Sequence, residues 1–208
     1  STDAITTTVT DAASVAQFNT LDAKTSVDIV LTGGVSDTAA AYASSGGTTT
    51  SGLTAIGAQD GDAVITVTDA ATVAQFNTID GKTSSNVVLS GGVSDTAANL
   101  APSGTASSGL TNATTQDGDV AITITGTNPT VAELNKVASL TTGTVTATIS
   151  ETISNLSSLS TASTDAITTT VTDAASVAQF NTLDAKTSVD IVLTGGVSDT
   201  AAAYASSG

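Results

Sequence analysis

The chain has no cysteine, methionine, tryptophan or histidine among its 208 residues, and aromatic residues make up 2% of it. Arginine is absent too, so all positive charge rests on Lys24, Lys82, Lys136 and Lys186. Each absence excludes something. Without cysteine there are no disulfides and no thiolate metal sites. Without histidine or cysteine there is no imidazole base and no thiol nucleophile, so the inventory points away from an enzyme. Four lysines against 19 acidic residues leave a net charge of −15. Binding to nucleic acid or to an anionic membrane needs clustered cations, which this chain lacks. No run is long and apolar enough to cross a bilayer, and no signal peptide is visible, so for an exported protein the signal is expected outside this segment.

What is present is narrow: Ala, Thr, Ser, Gly, Asp and Val dominate. Such a composition invites disorder, but 39% of the residues are hydrophobic and they are strongly patterned, which argues for a packed chain. The pattern is repetition. Residues 163–208 copy residues 1–46 letter for letter, a shift of 162. Inside that unit, Thr10-Asp11-Ala12-Ala13-Ser14-Val15-Ala16-Gln17-Phe18-Asn19-Thr20 returns 58 residues later as Thr68 to Thr78, with Ser14 becoming Thr72. A diverged third copy runs Thr130-Val131-Ala132-Glu133-Leu134-Asn135. A second phrase, Val35-Ser36-Asp37-Thr38-Ala39-Ala40, returns at Val93–Ala98 and, altered, at Ile149–Leu156. The boundaries expected from these echoes are 1–60, 61–118 and 119–162 for three thirds of two rungs each, with 163–208 opening the next unit as part of one continuous coil.

Each rung reads as a short β segment followed by a short helix. Ile5–Val9, Ile29–Leu31, Val64–Val67, Val87–Leu89, Ile122–Ile124 and Val145–Ile149 carry the Val, Ile and Thr that suit a pleated surface. Ser14-x-x-Gln17, Thr72-x-x-Gln75 and Thr130-x-x-Glu133 fit a capping box, although Asp11 and Asp69 are rival helix starts. Val15, Phe18 and Leu21 then share one helix face, as do Val73, Phe76 and Ile79. For the second helix of each third, Ser36, Ser94 and Ser150 are candidate caps, with Asp37, Asp95 and Glu151 in the first turn. The Gly/Ser stretches at 46–52 and 103–109 read as excursions. Strand, helix, strand in about two dozen residues implies parallel pairing. The expected fold is an α/β solenoid, about six rungs per 162-residue unit; the alternative is an all-β solenoid in which the helices are turns.

Two features are candidate sites. Asp60-Gly61-Asp62 and Asp117-Gly118-Asp119 place paired carboxylates around a glycine turn, a weak calcium pattern, and the same residues are ordinary turn formers. The threonine rows Thr6-x-Thr8-x-Thr10, Thr66-x-Thr68, Thr123-x-Thr125-x-Thr127 and Thr144-x-Thr146-x-Thr148 resemble the surfaces of ice-binding solenoids, but Val30 and Val88 interrupt them. Asn99 and Asn155 are candidates for a stacked amide ladder. Phe18, Phe76 and Phe180 read as core, and Tyr42 and Tyr204 as rim or core.

The phrase Gly91-Gly92-Val93-Ser94-Asp95-Thr96-Ala97-Ala98-Asn99-Leu100, following Ile65–Gln75, resembles repeats of very large secreted bacterial surface proteins, notably cyanobacterial ones of the S-layer, adhesin and haemolysin type. The resemblance covers nearly the whole chain. It implies type I export, a cell-surface or extracellular location, and calcium-dependent behaviour elsewhere in a longer parent chain. The expected function is a structural block of an extracellular fibre, surface layer or adhesin, with itself as partner through end-to-end or lateral assembly. The competing class is a binding module for calcium, glycan or ice.

Overall fold

The structure is a computed structural model that describes residues 4–126 and 128–206. The first strands and helices run β1 (Thr7–Val9), α1 (Val15–Asp22), β2 (Ile29–Leu31), β3 (Val35–Asp37), α2 (Ala39–Tyr42), α3 (Ser51–Gln59), β4 (Ile65–Val67) and α4 (Val73–Asp80). Then come β5 (Val88–Leu89), β6 (Val93–Thr96), α5 (Ala97–Leu100), a 3-10 turn at Pro102–Gly104, α6 (Ser108–Gln116), β7 (Ile122–Thr125) and α7 (Val131–Ala138). The chain closes with β8 (Val145–Glu151), α8 (Ile153–Leu156), β9 (Ala166–Val171), α9 (Val177–Asp184), β10 (Ile191–Leu193) and α10 (Ala201–Ser206). Strands alternate with real helices, which overturns the all-β alternative.

Three sheets result: β1-β2, β3-β4-β5 and a five-stranded sheet in the order β10-β9-β8-β7-β6. The pairing is parallel, as strand–helix–strand connections require. Thr7 lies opposite Ile29 and Thr66 opposite Val88, so neighbours in space are one rung apart in sequence. The chain divides into two compact units. One holds residues through Ser94 together with Asn112–Val120; the other holds Asp95–Thr111 together with residues from Ala121 on.

Strands β7, β8 and β9 bury alternate residues. In β8 they are Val145, Ala147 and Ile149, with Thr146 and Thr148 facing out. The helices then cover the inner face. In the first unit Phe18, Tyr42, Leu53, Ile56, Ile65, Phe76 and Ile79 are fully buried; in the second, Leu100, Leu110, Ile122 and Leu134 are. At about 1.5–3 kcal/mol per fully buried large apolar side chain, these positions dominate the stabilisation.

The capping boxes form as expected at Ser14/Gln17, Thr72/Gln75 and Thr130/Glu133, and again at Ser176/Gln179. Asp11 and Asp69 are not the caps. The second helices differ from expectation. Ser36 and Asp37 lie in β3, Ser94 and Asp95 in β6, and Ser150 and Glu151 in β8, so none is the N-cap or in the first turn of the helix that follows it. The helices start later, at the N-caps Thr38, Thr96 and Thr152. The physical reason is that Val35 and Val93 join a sheet ladder, opposite Ile65 and bridged to Ala71 respectively, which holds the following residues extended. The Gly/Ser excursions contain helices too. Thr50 caps α3 through Leu53 N–H, and Leu53 and Ile56 bury its inner face.

Candidate functional site

The acidic turns sit at helix ends, and their side chains have structural work. Asp60 follows α3, and its Oδ2 accepts the Leu31 N–H at 2.5 Å. The neighbouring Gln59 accepts the Ile29 N–H at 3.0 Å and donates to Asp22 Oδ1 at 2.6 Å. Together they cap the edge of β2 that faces away from β1. The second turn repeats the device: Gln116 Oε1 accepts the Val87 N–H at 2.8 Å, and its Nε2 donates to Asp80. Unpaired edge donors are costly when partly buried, so side chains stand in for a missing strand.

Asp62 and Asp119 are the remaining calcium candidates. A hydrogen bond to Asp60, and then its negative charge, raise the Asp62 carboxyl above its ordinary value. Burial, then a hydrogen bond with Asp119 and its charge, raise Asp117 in the same way. The structure thus brings Asp60 to Asp62 and Asp117 to Asp119 as two separate pairs. Among the described residues, no three His, Cys, Asp or Glu side chains gather to hold a metal. A calcium ion takes six to eight oxygens, so each turn contributes at most a fraction of a shell.

The threonine rows face outward but do not form a continuous array. Thr8 lies opposite the exposed Val30, and Thr66 lies between Ser36 and the exposed Val88. Among the described residues, threonine meets threonine in register at Thr123–Thr146 and Thr148–Thr168; Thr127 lies outside the described residues. The asparagines do not stack either. Asn99 donates to Asp95 Oδ1 at 2.7 Å and Asn155 to Glu151 Oε2 at 2.8 Å, each holding the acid of its own strand.

One cavity of about 230 Å³ opens between α8 and α9, lined by Ile153, Leu156, Leu159, Gln179, Leu183 and Lys186. Its lining is mainly aliphatic, and Lys186 is the one ionisable group on it. A second, of about 330 Å³, lies at the first rung beside Val9, Asp11, Ala13, Gln17 and Leu21.

The duplicated 46 residues provide an internal control, because identical sequence occurs with and without a neighbour on each side. Ile5 is 56% exposed, whereas its copy Ile167 is fully buried beside β8. The reverse holds further along. Tyr42 is fully buried and Tyr204 is 48% exposed; Phe18 is buried and Phe180 is half-buried. The secondary structure is shared: the helices Val15–Asp22 and Val177–Asp184 both carry the complete capping box. Local sequence sets the rung, and the adjoining rung sets its burial.

A set of aspartates missed as functional residues links rungs. Asp69 Oδ1 accepts the Ala39 N–H that opens α2 at 2.6 Å, and Asp173 Oδ1 accepts the Ile153 N–H that opens α8 at 2.7 Å. Asp37 Oδ2 accepts the Val15 N–H at 3.1 Å and Asp199 the Val177 N–H at 3.1 Å. Each carboxylate caps the helix of the preceding rung, where the exposed amides and the dipole favour negative charge. The readable signal was an aspartate that returns 58 residues on, Asp11 as Asp69 and Asp37 as Asp95.

No protein family, curated protein or solved structure matches this chain. Among the described residues, no helix is long and apolar enough to cross a membrane.

Proposed function

We propose that this chain is a structural repeat block of an extracellular fibre, surface layer or adhesin, built as an α/β solenoid in which each rung is the template for the next. The observation that carries the reading is the contrast between the two copies. The same residues fold alike, and those left exposed at one end are the ones that a neighbouring rung buries elsewhere, as with Tyr42 and Tyr204. A protein built this way extends by adding units, and its stability becomes a sum of rung and interface contributions.

The surface supports a scaffold role over catalysis or nucleic-acid binding. It presents Thr, Ser and Asp outward, carries net charge −15, and offers no histidine or cysteine. The secreted bacterial surface repeats that the sequence resembles supply the extracellular assignment.

The test is a series of chains with one, two and three 162-residue units. Six strand spacings of ~4.8 Å predict about 29 Å of added length per unit by small-angle scattering. The thermal midpoint is expected to climb with unit number and then level off. Equal midpoints, together with compact particles whose length does not grow in equal steps, would show that the units fold as separate bodies.

A further inference from the structure

We propose that the groove between α8 and α9 is a docking site for a tight Ser/Gly turn presented by a partner polypeptide. The proposal goes beyond the scaffold reading and is tested apart from it.

The chain itself shows what fills this place in an earlier rung. After α2, the residues Ala43–Thr49 form a small hairpin: Ala43 bridges Thr49 in antiparallel fashion, and Gly47 N–H donates to the Ser44 carbonyl at 2.8 Å. This turn lies on α4, where three side chains donate to three of its carbonyls. Gln75 Nε2 reaches the Ala43 carbonyl at 2.9 Å, Thr72 Oγ1 that of Ser45 at 2.9 Å, and Thr78 Oγ1 that of Gly47 at 2.6 Å. Glycine is needed at the last position. Gly47 has φ +81°, and a methyl group on it would lie 2.9 Å from the Ala74 carbonyl oxygen.

Helix α9 keeps the same donors, Ser176, Gln179 and Thr182, at the corresponding positions. Its turn is missing for a reason internal to the chain. Tyr42 is followed by β4 only at Ile65, whereas Leu156 is followed by β9 already at Ala166. The short link also runs the other way. Asn135 on α7 donates to the Ser158 carbonyl at 2.8 Å and accepts the Ser160 N–H at 2.7 Å, which draws the link towards α7 and off α9. Gln75 is buried under its turn, and Gln179 is exposed. Thr182 Oγ1 donates back to Ala178 within its own helix at 2.8 Å. Among the described residues, Gln179 Nε2 and the Ser176 hydroxyl have no acceptor. Beneath them Leu156, Leu159 and Leu183 form an aliphatic floor. Helix α3 packs on a different flank of α1, at Val15 and Asn19, and the copies Val177 and Asn181 do not line this groove. The opening is thus set by residues 157–165.

Helix α7 narrows the class of ligand. There Glu133 and Lys136 replace the glutamine and threonine, and the segment that crosses Ala132 is the different turn Pro102–Gly104. The Gln/Thr pair therefore goes with the Ser-Ser-Gly-Gly turn, and α9 carries that pair.

The test uses the full chain and a disulfide-closed peptide, Cys-Ser-Ser-Gly-Gly-Thr-Cys, with cysteines at the positions of Ala43 and Thr49. Directly paired antiparallel residues lie within disulfide reach. In nitrogen-15 NMR titration, amide shifts are expected at Leu156–Leu159 and Ala178–Leu183, with a Kd of about 1 mM, in keeping with three hydrogen bonds and a small contact. The α4 amides, already covered, should not move. Gln179→Glu keeps the capping box, as Glu133 does in α7, and removes the amide donor. It is expected to weaken binding about fivefold. A peptide with alanine in place of the second glycine is expected not to bind. No shifts with peptide at about 10 mM, far above the expected Kd, would overturn the proposal. So would shifts that leave Leu159 unmoved, or equal binding by the alanine peptide or the Gln179→Glu chain. The scaffold reading survives any of these results, since the unit-number series tests it separately.

Discussion

Gly33, Gly91 and Gly195 show how tightly single residues are held by the repeat. A methyl group on Gly91 would lie 2.1 Å from the backbone carbon of Asp69, and one on Gly33 2.2 Å from that of Asp11. Only glycine permits this approach of two backbones. Gly91→Ala is therefore expected to cost about 3 kcal/mol, near the upper range for overpacking, read as a lower midpoint in urea. Gly46, where an added methyl would meet nothing within 4 Å, is the matched site at which the same change is expected to be neutral. The acidic turns give a pH-dependent residue effect. Asp60 raises the Asp62 carboxyl in the folded protein, so the folded state binds that proton more readily than the unfolded chain. The pair therefore opposes folding at neutral pH, and this penalty disappears as pH falls through the raised value. Asp62→Asn is expected to raise the melting temperature slightly at pH 7, with the gain shrinking to nothing on acidification; a gain that grows in acid would refute the assignment.

At the level of elements, legibility followed the range of the interactions. The capping boxes at Ser14, Thr72 and Thr130 close over three residues, and each was readable from a four-letter phrase. Strand cores such as Ile29–Leu31 were readable from their Val, Ile and Leu content. What escaped depends on distant partners. Asp37 looks like a first-turn helix residue, but its carboxylate caps a helix that starts 22 residues earlier, at Val15. Helix α3 was hidden by its own glycines: a methyl on Gly52 would meet Val15 Cγ1 at 2.4 Å, so a residue that reads as a loop signal is there for helix contact with α1. The acidic turns were legible as turns but not as strand caps, because Gln59 and Asp60 act on Ile29 and Leu31 about 30 residues back. Gln59→Ala tests that role. It removes two hydrogen bonds and is expected to cost about 1–2 kcal/mol. Amide exchange should quicken selectively at Ile29, while protection at Ile65 in β4 stays unchanged.

The whole molecule offers a comparison that few proteins allow, the same residue in the same local sequence with and without its neighbour. Tyr42 is fully buried and its hydroxyl donates to the Thr66 carbonyl; Tyr204 is 48% exposed and its hydroxyl turns back to the Val197 carbonyl. If rung-to-rung packing holds the fold, truncation should be costly only where the neighbour exists. Tyr42→Ala is expected to lose about 3–5 kcal/mol, the range for removing a buried aromatic side chain. Tyr204→Ala should change stability by no more than about 0.5 kcal/mol, as exposed positions do. Extending the chain through a complete second 162-residue unit would place residues equivalent to Ser51–Val67 after Tyr204. The cost of Tyr204→Ala should then rise to match that of Tyr42→Ala. Denaturant unfolding of the four single variants, two in the short chain and two in the extended one, measures this directly. Equal costs at both tyrosines in the short chain would mean that local structure alone stabilises each rung, and the stacking account of this protein would fail.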